Sequence, residues 1–122
     1  MKRSAARELA FKTIYSKFFN VEIEEAENPE ISDLEFTSNI LKNFADHYTE
    51  INELISSNLK GYTIERLYKI DLAILIVAII ELNYIKENPK EVIINEAVEL
   101  AKKYSTEKSP KFINGFLAGL VK

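Results

Sequence analysis

The 122-residue chain contains no cysteine, which removes disulfide frameworks, thiolate zinc sites and cysteine nucleophiles together. Three glycines and three prolines are too few for a low-complexity chain or a turn-dense sandwich. Gly61, Gly115 and Gly119 never approach the GxGxxG or GxxxxGK spacing that lets backbone amides cradle phosphates, so nucleotide hydrolysis is not expected. His47 is the only histidine, which rules out a two-histidine metal site and leaves one candidate base for a serine triad. Its polar surroundings at a helix end read as those of a surface residue. The longest uncharged apolar run, Leu72–Ile80, is nine residues, against roughly 20 for a membrane span. Met1-Lys2-Arg3 is followed by no apolar signal segment. The expectation is a cytoplasmic protein with no membrane contact, no metal and no cofactor.

What is present points to helices. Leu, Ile, Glu, Lys and Ala dominate a chain that is 47% apolar and 29% charged, which fits one all-α domain over residues 1–122. The net charge of −3 conceals a strong segregation. Residues 1–17 hold Lys2, Arg3, Arg7, Lys12 and Lys17 against Glu8 alone, and from Lys102 onward five lysines face only Glu107. Residues 21–35 hold seven acids and no base. Two basic ends form a single patch if the fold brings them together.

Apolar residues at three- and four-residue spacing predict helices over about 4–19 (Ala6, Ala10, Ile14, Phe18), to about Asp46 (Leu34, Ile40, Leu41, Phe44) and over about 48–60 (Ile51, Leu54, Ile55, Leu59). Ser32 or Asp33 can cap the second of these. Asn28-Pro29 and the acid cluster make Glu22–Glu30 an exposed loop. Gly61 suits a positive φ after a helix end, and Thr63 caps a short helical segment. Asp71–Lys86 is apolar nearly all round, as the centre of a bundle requires. Asn88-Pro89-Lys90-Glu91 reads as a helix start with Asn88 as cap, Pro89 at N1 and Glu91 at N3, and carries Val92, Ile93, Ala97, Leu100 and Ala101 on one side. Ser109-Pro110 repeats the signal for a last helix with Ile113, Phe116, Leu117 and Leu120 inward. The total is six or seven helices.

Paired carboxylates offer no catalytic site. Glu96 and Glu99 stand at i,i+3 on an exposed face, where Glu99 supports Lys102 and Lys103, and Asp71 and Glu81 lie ten residues apart on one helix. The chemistry left is binding, not enzymatic turnover.

Val92-Ile-Ile-Asn-Glu-Ala-Val-Glu-Leu-Ala-Lys-Lys-Tyr104 with Ser109-Pro-Lys-Phe-Ile-Asn-Gly-Phe-Leu117 closely resembles the transcription antitermination factor NusB family. The segment Glu65–Leu82 is similar to that family's central helix, and Ala6-Arg-Glu-Leu-Ala10 with Tyr15-Ser16 to its first; residues 20–60 resemble it only in helical pattern and length. The resemblance implies two packed helical subdomains, about 1–60 and 62–122, and no catalysis. It implies an antitermination factor that binds boxA RNA of ribosomal RNA leader transcripts with the ribosomal protein NusE, and meets other Nus factors and RNA polymerase through that complex.

Carried over by position, the family's RNA-binding residues fall on Lys2, Arg3, Arg7, Lys111 and Phe112, and its partner-binding face on Tyr15, Glu65 and Asp71. Cations neutralise phosphates, and an exposed ring stacks on an unpaired base. Asn95, Glu96, Asn114 and Gly115 match the family most literally and read as architecture: side chains bonded across helices and a glycine that permits close approach. The chain departs from the family's pattern in keeping only Arg3 and Arg7 in a usually denser arginine arm, in Leu72 and Ile76 where arginines are common, and in Lys108 where an acid often stands. Two other uses remain open: a helical protein-interaction module of the same fold with little RNA binding of its own, and homodimerisation through the first helix; against a third, the docking domain of some RNA methyltransferases, 122 residues leave no room for a methyl-donor domain.

Overall fold

A computed structural model describes residues 2–19 and 33–121. The expected acidic loop at 22–30 lies outside the described residues. Five α-helices follow one another: α1 (Lys2–Lys17), α2 (Leu34–Asn58), α3 (Lys69–Ile80), α4 (Lys90–Tyr104) and α5 (Ser109–Leu120). A 3-10 turn at Ile64–Arg66 precedes α3 and a π turn at Glu81–Ile85 extends it. No strand occurs among the described residues. None of the helices is long and apolar enough to cross a membrane.

α3 is the axis of the bundle. Because no stripe of its surface is polar, it cannot lie on the outside, and every residue from Asp71 to Ile80 is buried. α1 and α2 pack on it, as do α4 and α5. Each brings a stripe of small or branched side chains: Ala6, Ala10 and Ile14 from α1, Ile40, Ile51 and Ile55 from α2, Ile93, Ala97 and Ala101 from α4, and Ile113 and Leu117 from α5. Leu72 and Ile76, where the family commonly has arginines, are both inside this core at 5% and 1% exposure.

Against the expected six or seven helices, five α-helices stand among the described residues, and the short segment after Thr63 is the 3-10 turn. The two helices expected on either side of Asp46–Tyr48 are joined end to end as α2, with a kink where the expectation put the break: His47 leaves helical geometry (φ −123°, ψ 18°) and its ring stacks on Tyr84 at 4.1 Å. Asp33 caps α2, its carboxylate accepting from the Phe36 N–H at 3.4 Å. Gly61 has the positive φ expected of it, 85°. The starts of α4 and α5 are each displaced from the sequence expectation. Pro89 occupies the cap of α4 because the Asn88 side chain is turned to α1, its amide oxygen accepting from Arg3 and Arg7. Lys108 precedes α5 because the Ser109 hydroxyl is spent on Asp71. Val92, expected to face inward, is exposed.

Candidate nucleic-acid interface

Arg3 and Arg7 at the start of α1 face acids of the same chain, and the side chain of Lys2 lies outside the described residues. Arg3 donates to Asp33 (3.3 Å) and Glu87 (2.9 Å), and its guanidinium lies 4.7 Å from the centre of the Phe36 ring. Arg7 is only 2% exposed and grips Glu81 with two bonds, Nε to Oε2 at 2.7 Å and Nη2 to Oε1 at 2.9 Å, with Glu96 3.4 Å from Nη1. The expectation that Arg7 is a free phosphate ligand is therefore corrected: it is the cation of a buried, forked ion pair. Two of the C-terminal lysines are similarly engaged. Lys103 donates to Glu8 at 2.6 Å and Lys102 to Glu99 at 3.3 Å. Burial raises the Glu8 pKa, but bonds from Lys103 and the Tyr104 hydroxyl and the nearby Lys12 charge outweigh it, so Glu8 stays below its usual value.

The start of α5 presents the other half of the expected site. Lys111 is exposed and Phe112 half-buried. Neither Lys108 nor Lys111 has an ion-pair partner among the described residues, and the same holds for Arg66 in the 3-10 turn. Phe112 borders a groove of about 290 Å³ whose other walls are Tyr62, Arg66, Leu67, Tyr68 and Lys108, with Asp71 at its base. The ring of Tyr62 lies 6.4 Å from that of Phe112, and Tyr68 is 62% exposed. Sequence reasoning missed Tyr62, Arg66 and Tyr68, whose only signal is their place around the Gly61 turn.

The two basic ends meet only in part: Lys103 of α4 reaches Glu8 of α1 and Lys12 lies 5.5 Å from the centre of the Tyr104 ring, but the first turn of α5 stands apart from the start of α1. The start of α1 meets Glu81 and Asn88, at the far end of α3, whereas α5 begins against Asp71 at its near end. Ten residues of helix separate Asp71 from Glu81, about 15 Å at 1.5 Å per residue.

Tyr15, Glu65 and Asp71 lie at the near end. Tyr15 is half-buried in a row of rings, 6.4 Å from Phe11 and 5.1 Å from the exposed Phe19. Glu65 is exposed, and bonds from its own backbone N–H and the Thr63 hydroxyl hold its pKa below the usual value. Asp71 is 3% exposed and accepts from Ser105 Oγ (2.6 Å) and Ser109 Oγ (3.0 Å), fixing the α4–α5 turn onto α3. An unencumbered acidic contact at Asp71 is thus not what the fold provides. The reading of Asn95 and Asn114 as cross-helix bonds is also corrected. Both are exposed and make no side-chain hydrogen bond among the described residues, while Glu96 accepts from Ser4 at 2.6 Å. Nothing lies within 4 Å of a Cβ built on Gly115, so close approach does not require glycine there. Among the described residues no group of three His, Cys, Asp or Glu side chains could hold a metal.

Comparison with known proteins fits this helical scaffold. The NusB family matches residues 4–122. The transcription antitermination protein NusB of Finegoldia magna is 42% identical, the match spanning all of this chain and 95% of that protein. NusB of T. maritima superimposes with a TM-score of 0.82 at 30% identity, over 97% of this chain and 89% of that one. A chain in a crystal structure of the antitermination factors NusB and NusE in complex with dsRNA shares the fold at 24% identity, with a TM-score of 0.70 over 98% of this chain and 95% of its own. Full-length sequence similarity and the common arrangement of helices lead to one conclusion: the chain belongs to the NusB family.

Proposed function

We propose that this protein is a cytoplasmic transcription antitermination factor that binds boxA-type RNA of ribosomal leader transcripts together with NusE, and acts by binding rather than catalysis. The observation that carries this reading is family membership along the whole chain. The crystal structure of NusB and NusE in complex with dsRNA supports it at the level of fold, since a chain of that assembly shares this scaffold. The chemistry at the start of α5 supports it too. Lys111 and Lys108 can neutralise phosphates, Phe112 offers a ring to an unpaired base, and the first amides of α5 point the same way. Lys2 and Arg3 would extend the contact, Arg3 by exchanging its acidic partners for phosphate. Arg7 would hold α1 in place. Tyr15 and Glu65 would face NusE, with Asp71 bracing that surface. Other Nus factors and RNA polymerase would be reached through the complex.

One observation favours a second reading, an interaction module with little RNA affinity of its own: Arg3 and Arg7 are already occupied by acids. Titrating boxA RNA into the protein at several salt concentrations, with and without NusE, separates the two. Weak binding alone that tightens as salt falls, with a log–log slope of about 0.7 per phosphate contact, and tighter binding with NusE are expected. Affinity indifferent to salt excludes a phosphate-driven mode, and no binding even with NusE leaves the interaction module.

A further inference from the structure

We infer that the groove between Tyr62 and Phe112 is a nucleobase slot, in which Tyr62 supplies a second stacking surface and Arg66 a phosphate contact. This rests on the RNA-binding reading above. Three observations carry it. First, the groove is walled by rings from two separate parts of the chain. Phe112 comes from the first turn of α5 and Tyr62 from the turn after Gly61, and their centres lie 6.4 Å apart at an angle of 44°. The pair forms a bent wall rather than a closed stack, so a flat base can lie against it, as unpaired bases do on aromatic platforms. Second, large rings remain open there. Tyr62 is 37% exposed and Tyr68 62%, whereas Phe11, Phe36 and Phe44 are buried. Third, the rim is cationic and available: Arg66 and Lys108 make no ion pair among the described residues, in contrast to Arg3, Arg7, Lys102 and Lys103. The one acid of the groove, Asp71, is turned to the hydroxyls of Ser105 and Ser109. Rings beside unpaired cations suit a single-stranded nucleic acid better than a basic protein, which would meet Arg66 and Lys108 as like charges.

The test uses the full chain and a short single-stranded boxA-type RNA, with and without NusE. Tyr62→Ala should weaken RNA binding roughly 5- to 150-fold, the loss of one base–aromatic stack, with the thermal midpoint held. Tyr62→Phe should bind as the native chain does. Replacing the nucleotides one at a time by abasic residues should find a position where the losses from the missing base and from Tyr62→Ala do not multiply, as they would if independent. Arg66→Ala should flatten the salt slope by about 0.7. If Lys111→Ala weakens binding but Tyr62→Ala and Arg66→Ala do not, the slot is refuted and the RNA reading stands. If Tyr62→Ala leaves RNA affinity intact yet weakens NusE binding, the groove belongs to the protein partner and the proposal is overturned. Absence of RNA binding by the native chain, even with NusE, overturns both.

Discussion

Arg7→Ala is expected to destabilise the fold by about 3–5 kcal/mol, the cost of leaving a buried charge without its partner. The side chains of Arg7 and Glu81 are 3% and 2% exposed and meet through two short bonds. With the guanidinium removed, Glu81 has no cation left to pair with among the described residues and lies in a site lined by Ile74, Val77, Ala78 and Ile93. Arg7→Lys should recover part of the loss, since an ammonium supplies charge but not the fork. Arg7→Met combined with Glu81→Leu should recover more, because an apolar replacement of both partners removes the desolvation cost along with the attraction. Denaturant unfolding of the three variants checks the ordering. A midpoint for Arg7→Ala equal to that of the native chain would show the pair to be open to water.

Leu75→Asp should abolish the folded state. Leu75 is 0% exposed at the middle of α3, which touches every other α-helix. An isolated carboxylate there finds no partner, and the expense of desolvating it exceeds the few kcal/mol by which a domain of this size is stable. Leu75→Ala, which only opens a cavity, should cost about 2–5 kcal/mol and leave a cooperative transition. Thermal melts followed by circular dichroism distinguish the cases, and a native midpoint for Leu75→Asp would contradict a buried α3.

The core was legible because burial follows periodicity. Nine consecutive apolar residues bounded by Asp71 and Glu81 leave α3 no outward face, and the stripes of α1, α4 and α5 could be read one residue type at a time. Ends were less legible. Asn88 and Ser109 are good caps by composition, yet each has a tertiary partner instead, Arg3 with Arg7 in one case and Asp71 in the other. The same limit explains the basic arm. A run of cations records charge but not its partner, and the acid that claims Arg7 stands 74 residues away. Tyr62 and Arg66 escaped for the converse reason. Local pattern gives them a turn and nothing more, and only packing of that turn against α5 makes them neighbours of Phe112.

The central claim, that RNA is met by the first turn of α5, is tested most directly by measuring RNA affinity and unfolding on the same Phe112→Ala protein. Phe112 is half-buried beside Phe116 at 6.0 Å, so its loss should cost well under the about 3–5 kcal/mol of a fully buried phenylalanine. Affinity for boxA-type RNA, with NusE present, should fall by about 1–3 kcal/mol, the worth of one base stack. Lost stability with unchanged RNA affinity would instead make Phe112 a packing residue and contradict the account.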